Sequence, residues 1–392
     1  MIARVFIYII IVAVGADAYL HFRFLRRQRW WVALLWWLPS LALIVGACLL
    51  RREASFVPSD MTWLNTFLLC YMLTAVPKAL YCLCDAAGQL SGRWCKKGRL
   101  AGTLVGGLSA AAVVLAVCYG TFVGFYEFEV RHVELAFADL PKSFDGYRIV
   151  QWTDAHVGTL TGPREKILVR AIDSINAQNA DLVVFTGDLQ NVQSEEIVSH
   201  RLLLSSIKSR DGVFSVLGNH DYPVYSGGDA FERYADFGRR CSLDEELGWT
   251  LLSNGHRTLR RGDDHIIIAG MENDGDGSER NPQLGNIQLA LWGVSRDEFV
   301  VMLEHDPRSW CRTILPHSHT QLTLSGHTHA AQAALFGWSP ASLLYKEAWG
   351  LYRIGQRALY VSKGLGGVIP FRIGAPGEIV VITLRAEKTT TP

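Results

Sequence analysis

Four long apolar runs fill the first 124 residues and constrain this chain more than any other feature. They cover Ile2–Leu20, Trp30–Leu50, Met61–Leu83 and Leu100–Phe122. Each has about 19–23 residues, the length a helix needs to cross roughly 30 Å of hydrocarbon. Four such runs in series suit lipid better than a buried core, because a helix satisfies its own backbone inside a bilayer. Composition agrees: 49% of the residues are hydrophobic and 19% are charged, against about 25% charged in ordinary soluble domains. A mainly disordered chain is excluded. Net charge is +1, so a strongly basic nucleic-acid binder is excluded and no nucleic-acid partner is expected.

The loops carry an orientation signal. Arg23, Arg26, Arg27 and Arg29 follow the first run, and Arg93, Lys96, Lys97 and Arg99 precede the fourth. Basic loops stay in the cytoplasm, which puts both chain ends, and everything after the fourth run, outside. Arg51 and Arg52, beside Glu53 and Asp60, pull weakly the other way. Ala16-Asp17-Ala18 has the look of a signal-cleavage site, but only Arg4 precedes it, so a retained helix is expected. Lys78 is expected to snorkel and Asp17 to sit near a helix end. With no paired intramembrane charges expected, a transporter finds little support.

From Tyr126 the pattern changes. Short apolar strands at Tyr147–Gln151, Asp181–Phe185, Val213–Leu217, His265–Ala269, Gln321–Leu324, Ala358–Val361 and Glu378–Leu384 are interleaved with helices at Glu165–Ala177 and Glu195–Ile207. Strand–helix alternation predicts an α/β domain. The reading is a membrane domain at 1–124 and a catalytic domain at 125–392. Asn273–Gln283, polar and rich in glycine, is expected to be a solvated loop.

Four motifs stand at strand ends, where α/β sheets place their sites. They are Asp154-Ala155-His156, Gly187-Asp188, Gly218-Asn219-His220-Asp221 and Gly326-His327-Thr328-His329, with His305 in Leu303-Glu304-His305-Asp306-Pro307. Carboxylate, imidazole and amide oxygen suit manganese, iron or zinc. Asp-x-His and His-x-His put alternate side chains on one side of an extended segment. Such a set exceeds one ion and suits two that share a carboxylate and activate a water as hydroxide against a phosphoryl group. The glycines are expected to allow tight turns.

The ordered set resembles the calcineurin-like metallophosphoesterases, whose signature runs D-x-H, GD, GNH, a histidine, then GH-x-H. The lead-in Leu140-Pro141 with Gly146-Tyr147-Arg148-Ile149-Val150 resembles the membrane-associated, YkuE- and YaeI-like branch. The resemblance implies a four-layer αββα sandwich with a binuclear metal centre, manganese favoured. It implies that Asp154, His156 and His329 hold one ion and that Asn219, His305 and His327 hold the other, with Asp188 bridging. His220 would protonate the leaving oxygen and Asp221 would orient His220. His256, His317 and His319 compete with His305 by position.

Two departures stand out. Gly187-Asp188-Leu189-Gln190-Asn191 ends in an amide where relatives have a carboxylate, and Ala330-Ala331-Gln332 replaces glycines, which is expected to narrow the mouth. Arg372 is either a contact for substrate phosphate or a structural cation. Cys241 and Cys311 are either a disulfide or free thiols. The expected protein is an integral, multi-pass membrane phosphoesterase with an extracytoplasmic catalytic domain. Its substrate would be a phosphorylated small molecule or a lipid-linked or envelope compound. The alternative is a non-catalytic membrane scaffold or sensor on the same fold.

Overall fold

The computed structural model describes residues 2–50 and 61–387. Arg51, Arg52, Glu53 and Asp60, which bear on orientation, lie outside the described residues, as does the side chain of Arg4. The chain forms two compact units, Met1–Val123 and Gly124–Pro392.

In the first unit, helices α1 (Ile2–Leu20), α2 (Trp30–Leu50), α3 (Met61–Ser91) and α4 (Lys96–Phe122) are long and apolar enough to cross a membrane. α3 runs past the expected end at Leu83, and α4 begins before Leu100. Small residues let these two touch: a Cβ on Gly88 would lie 2.6 Å from the Gly102 Cα. That close backbone approach is how helices associate where lipid removes the hydrophobic drive. The expected isolation of charges is corrected here. The Lys78 ammonium lies 2.8 Å from the buried Asp17 carboxylate, which also accepts from the Trp36 indole at 3.0 Å. Asp85, also buried, accepts from Tyr19, Thr103 and Arg23. Each carboxylate is more stable paired than bare in an apolar surround.

In the second unit, strands and helices follow in order: β1 (Phe128–Phe137), β2 (Arg148–Trp152), α5 (Glu165–Ala177), β3 (Leu182–Phe185), α6 (Glu195–Val198), α7 (Arg201–Leu204), β4 (Val213–Ser215), α8 (Ala230–Glu246) and β5 (Trp249–Leu251). Then come β6 (Gly255–Arg261), β7 (Asp264–Gly270), β8 (Asp274–Ser278), β9 (Asn281–Gln283), β10 (Val300–Leu303), β11 (Leu322–Ser325), β12 (Gly350–Ile354), β13 (Arg357–Val361) and β14 (Gly377–Ala386). One sheet runs β1-β14-β2-β3-β4-β5 and the other β12-β13-β11-β10-β7-β6.

The two sheets share a core. Leu182 and Val184 on β3 pack in one cluster with Ile266 and Ile268 on β7. The alternate residues Val183 and Phe185 turn to the other face, onto Ile167, Leu168 and Ile172 of α5. Ile267 and Ala269 turn away from the shared core toward Trp310 and Ile314. Both faces of each sheet are therefore covered, and the central strands are continuous apolar runs. The architecture is an αββα sandwich of four layers.

Two expectations are corrected. The helix expected over Glu195–Ile207 is two single turns, because the buried His200 leaves helical geometry at φ −110°, ψ 8°. Asn273–Gln283 is not a solvated loop but contains the paired strands β8 and β9. Its Asp274 is buried, accepts from Ser309 at 2.7 Å and Thr313 at 2.6 Å, and pairs with Arg312 at 3.0 Å.

Candidate metal centre

β2, β3, β4 and β5 run parallel, as do β7, β10, β11 and β13 in the other sheet. Chain segments leaving these strands converge at one edge of the sandwich. Asp154 and His156 follow β2, Asp188 follows β3, and Asn219 to Asp221 follow β4. From the second sheet, His305 follows β10, and His327 and His329 follow β11. The two edges are stitched together: Gln151 donates to the Ser325 carbonyl at 2.9 Å, and the His305 Nδ1–H donates to the Thr186 carbonyl at 2.8 Å.

Two groups of ligand atoms result. Asp154, His156, Asp188 and His329 form one; Asp188, His305 and His327 form the other; each set lies within 4.8 Å. Asp188 belongs to both. Its Oδ2 is 3.6 Å from the His156 Nε2 and 3.3 Å from the His305 Nε2. Asn219 joins the second group, with its Oδ1 2.8 Å from the His327 Nδ1. His256 instead faces the Ala290 carbonyl.

The donor set fits two divalent cations. Three facts carry this. The His156 and His329 Nε2 atoms face each other at 3.3 Å, and the His327 Nδ1 and His305 Nε2 do so at 3.2 Å. Burial, joined by neighbouring imidazoles, lowers the His156 ring to about 3, and burial lowers His327 to about 4 and His329 well below its usual value. These rings are thus neutral and offer lone pairs at neutral pH, the state a metal requires. Outer contacts aim the ligands: His305 spends its Nδ1–H on Thr186, the Asn219 Nδ2 donates to the Tyr225 hydroxyl at 2.9 Å, and the Tyr345 hydroxyl sits 2.9 Å from the His327 Nε2. Such contacts fix which atom faces an ion.

Backbone strain is concentrated here. Asp154, His156, Asp188, His327 and His329 all have φ between 46° and 72°, a region that costs an L residue about 1–2 kcal/mol. Ala330, Ala331 and Gln332 continue the same left-handed turn. Glycine is needed for different reasons at different points. Gly187 has φ 99°, but Gly218 has an ordinary φ of −99°, and a Cβ there would sit 2.2 Å from the Asp188 Oδ1.

His220 lies beside the cluster. Its amide donates to the Asp188 Oδ1 at 2.8 Å, its Nδ1–H donates to the Asn191 carbonyl at 2.8 Å, and Tyr225 stacks on its ring at 4.0 Å. The expected role of Asp221 is corrected. Its carboxylate does not face the His220 ring. It accepts from the amides of Asp188 and Gly218 at 2.9 Å and of Leu189 at 3.3 Å, and from the Arg240 Nε at 2.9 Å. Three buried amides and a buried guanidinium outcompete the imidazole for it. Asn191 takes the orienting part through its carbonyl, while its side chain comes within 3.3 Å of the His156 Nδ1.

Other expectations resolve plainly. Arg372 is buried and donates to the carbonyls of Lys363, Gly364, Gly366 and Ala375, so it is a structural cation. Cys241 and Cys311 are both free thiols. Tyr225, Tyr345 and Arg240 had no signal in the sequence: Tyr345 and Arg240 reach residues 18 and 19 positions away, and Tyr225 reaches Asn219 and His220 only because the irregular loop after β4 folds back on itself.

A family profile described as calcineurin-like phosphoesterase matches residues 147–331. A transmembrane protein with metallophosphoesterase domain from Danio rerio is 33% identical over 69% of this chain, which spans 60% of that relative's length. An uncharacterized metallophosphoesterase, YkuE, from Bacillus subtilis is 30% identical over 72% of this chain and 95% of its own length. A phosphopantetheinyl hydrolase from Mycobacterium tuberculosis superimposes with a TM-score of 0.37 at 12% identity, covering 63% of this chain and 99% of that one. On the profile match and the near-complete coverage of the Bacillus relative, the chain belongs to the calcineurin-like metallophosphoesterase family.

Proposed function

We propose that this chain is a membrane-anchored, two-metal phosphoesterase that hydrolyses phosphoester or pyrophosphate bonds. The observation that carries the reading is Asp188, whose single oxygen stands between the His156 and His305 nitrogens and so joins both ligand groups. Two divalent ions held by Asp154, His156, Asp188 and His329 on one side and by Asp188, Asn219, His305 and His327 on the other would supply an acidified water and neutralise phosphoryl charge. Manganese is the ion we favour, on the hard and borderline donor set.

The chain's own residues do the rest. Asn191 and Tyr225 fix the His220 ring beside the cluster, where it holds the proton that the leaving oxygen needs. Asp221 and Arg240 hold the turns carrying Asp188 and Asn219 rather than the reacting atoms. Four membrane-crossing helices, with the basic loops around Arg23 and Arg99 in the cytoplasm, would leave the catalytic unit outside. A lipid-linked or envelope phosphoester then follows from confinement to a bilayer surface.

The test uses the full chain in detergent, stripped of metal and reloaded with manganese. We expect hydrolysis of an aryl phosphodiester with about two ions bound per chain. His220→Ala should keep the ions and lose about a hundredfold or more in kcat. Asp188→Asn should lose both ions and turnover together. A folded chain that takes up no metal would refute the reading and leave a non-catalytic scaffold.

A further inference from the structure

The segment from Ala330 to Ala348 leaves the metal edge and returns to it. Its base is fastened to the cluster. The Ser339 hydroxyl donates to the Ala330 carbonyl, the Thr328 hydroxyl donates to the Ala348 carbonyl, and the Tyr345 hydroxyl meets the His327 ring. Gln332 donates from its side chain to the carbonyls of Ile369 and Phe371. Its tip is the opposite in character. Leu335 and Trp338 exchange backbone hydrogen bonds at 2.8 and 3.0 Å and close a two-residue turn.

Phe336 and Gly337 fill that turn at φ 51° and 80°. Positive φ at both central positions defines a tight hairpin turn that favours Asn-Gly or Gly-Gly. A phenylalanine there is strained, and it is 99% exposed, so no contact among the described residues offsets the strain. Leu335 and Trp338 flank it, and Leu343 and Leu344 follow in the same segment, all exposed between 53% and 81%. Lys346 is exposed two residues further on.

We infer that this apolar tip is a lipid-inserting wedge that seats the rim of the metal site in a bilayer interface. Phenylalanine, tryptophan and leucine beside a lysine are the composition of interfacial anchors. The bilayer is also the partner always within reach. Only five residues separate the end of α4 at Phe122 from the start of β1 at Phe128, and three of them, Gly124–Tyr126, form a tight turn whose Phe125 is buried in the core of the second unit. A wedge fastened to the His327 and His329 turns would bring headgroup-level phosphates toward the ligand cluster. That consequence rests on the phosphoesterase reading; the lipid contact itself does not.

The test uses the full chain in phosphatidylcholine–phosphatidylglycerol vesicles, with and without brominated acyl chains. Subtracting the emission of Trp338→Phe from that of the parent isolates Trp338 among the tryptophans. The expected difference spectrum is blue-shifted and quenched by bromolipid, and Phe336→Asp shifts it to the red. Quenching by aqueous acrylamide alone overturns the inference. Shielding from both quenchers overturns it in favour of a protein cover, such as a second copy. A parallel assay compares a bilayer-embedded phosphoester with a soluble aryl phosphodiester. Phe336→Asp should slow the first by roughly tenfold, the worth of one buried aromatic ring, and spare the second. Equal loss on both substrates argues against the wedge. A parent that turns over neither refutes the phosphoesterase reading and leaves the quenching result standing.

Discussion

Asp221→Asn separates two roles that a carboxylate beside a catalytic histidine can have. In the structure, Asp221 is fully buried and its two oxygens are both engaged. The Oδ2 accepts from the Asp188 and Gly218 amides, and the Oδ1 accepts from the Leu189 amide and the Arg240 Nε. An asparagine can keep its oxygen on one of these pairs only. Its NH2 then faces two donors, and each buried bond left unmade costs about 1–3 kcal/mol. Arg240 is left with Asp244 alone, at 2.8 Å. Breaking a buried ion pair costs about 3–5 kcal/mol, so the two routes to the magnitude agree. For a unit of this size that lowers the melting midpoint by roughly 10 °C. The assay is thermal unfolding of the metal-loaded chain, beside the pH–rate profile of the surviving enzyme. We expect a lower midpoint and a profile that keeps its position. A displaced profile with an unchanged midpoint would refute the structural role and return Asp221 to the His220 ring.

Metal binding should depend on pH with a sign set by Asp154. Burial, with the Asp188 charge nearby, pushes its carboxyl up to about 7, so below that pH an incoming ion must displace a proton. The His305 ring is held above its usual value because the Asp188 carboxylate outweighs burial, so it too must give up a proton. Affinity of the stripped chain should therefore climb with pH through about 7 and beyond, read by calorimetric titration with proton release; a flat profile would contradict this. Gly218→Ala should disrupt the centre even though its φ is ordinary, because the added Cβ would meet the Asp188 Oδ1 at 2.2 Å and its amide nitrogen at 2.5 Å. Overpacking of this kind costs about 1–3 kcal/mol, while Gly227→Ala, with nothing within 4 Å, should be neutral in the same melting and metal-count assays.

The apolar runs, the strand–helix alternation and the motif order were all legible because each is a local property of the chain. A run of apolar residues states its own length, and central strands such as Leu182–Phe185 are apolar throughout because both faces are covered. Motifs at strand ends could be assigned to one edge because parallel strands bring their C-terminal ends together.

Contacts between distant segments were not legible. Asp17 with Lys78, Asp221 with Arg240 and Tyr345 with His327 each join residues whose spacing carries no signal. The left-handed backbone at Asp154, His156, Asp188, His327 and His329 was hidden for the same reason, since residue type alone does not announce a conformation that only the surrounding packing sustains. By itself the amino-acid order therefore determined which chemical groups stand at the sheet edge and that the chain carries membrane-length helices. Tertiary structure decided which carboxylate is shared, which one only holds the turns, and which loop tip is left bare. Those outcomes depend on competition among donors for the same oxygen atoms, and that competition exists only once the two sheets have packed.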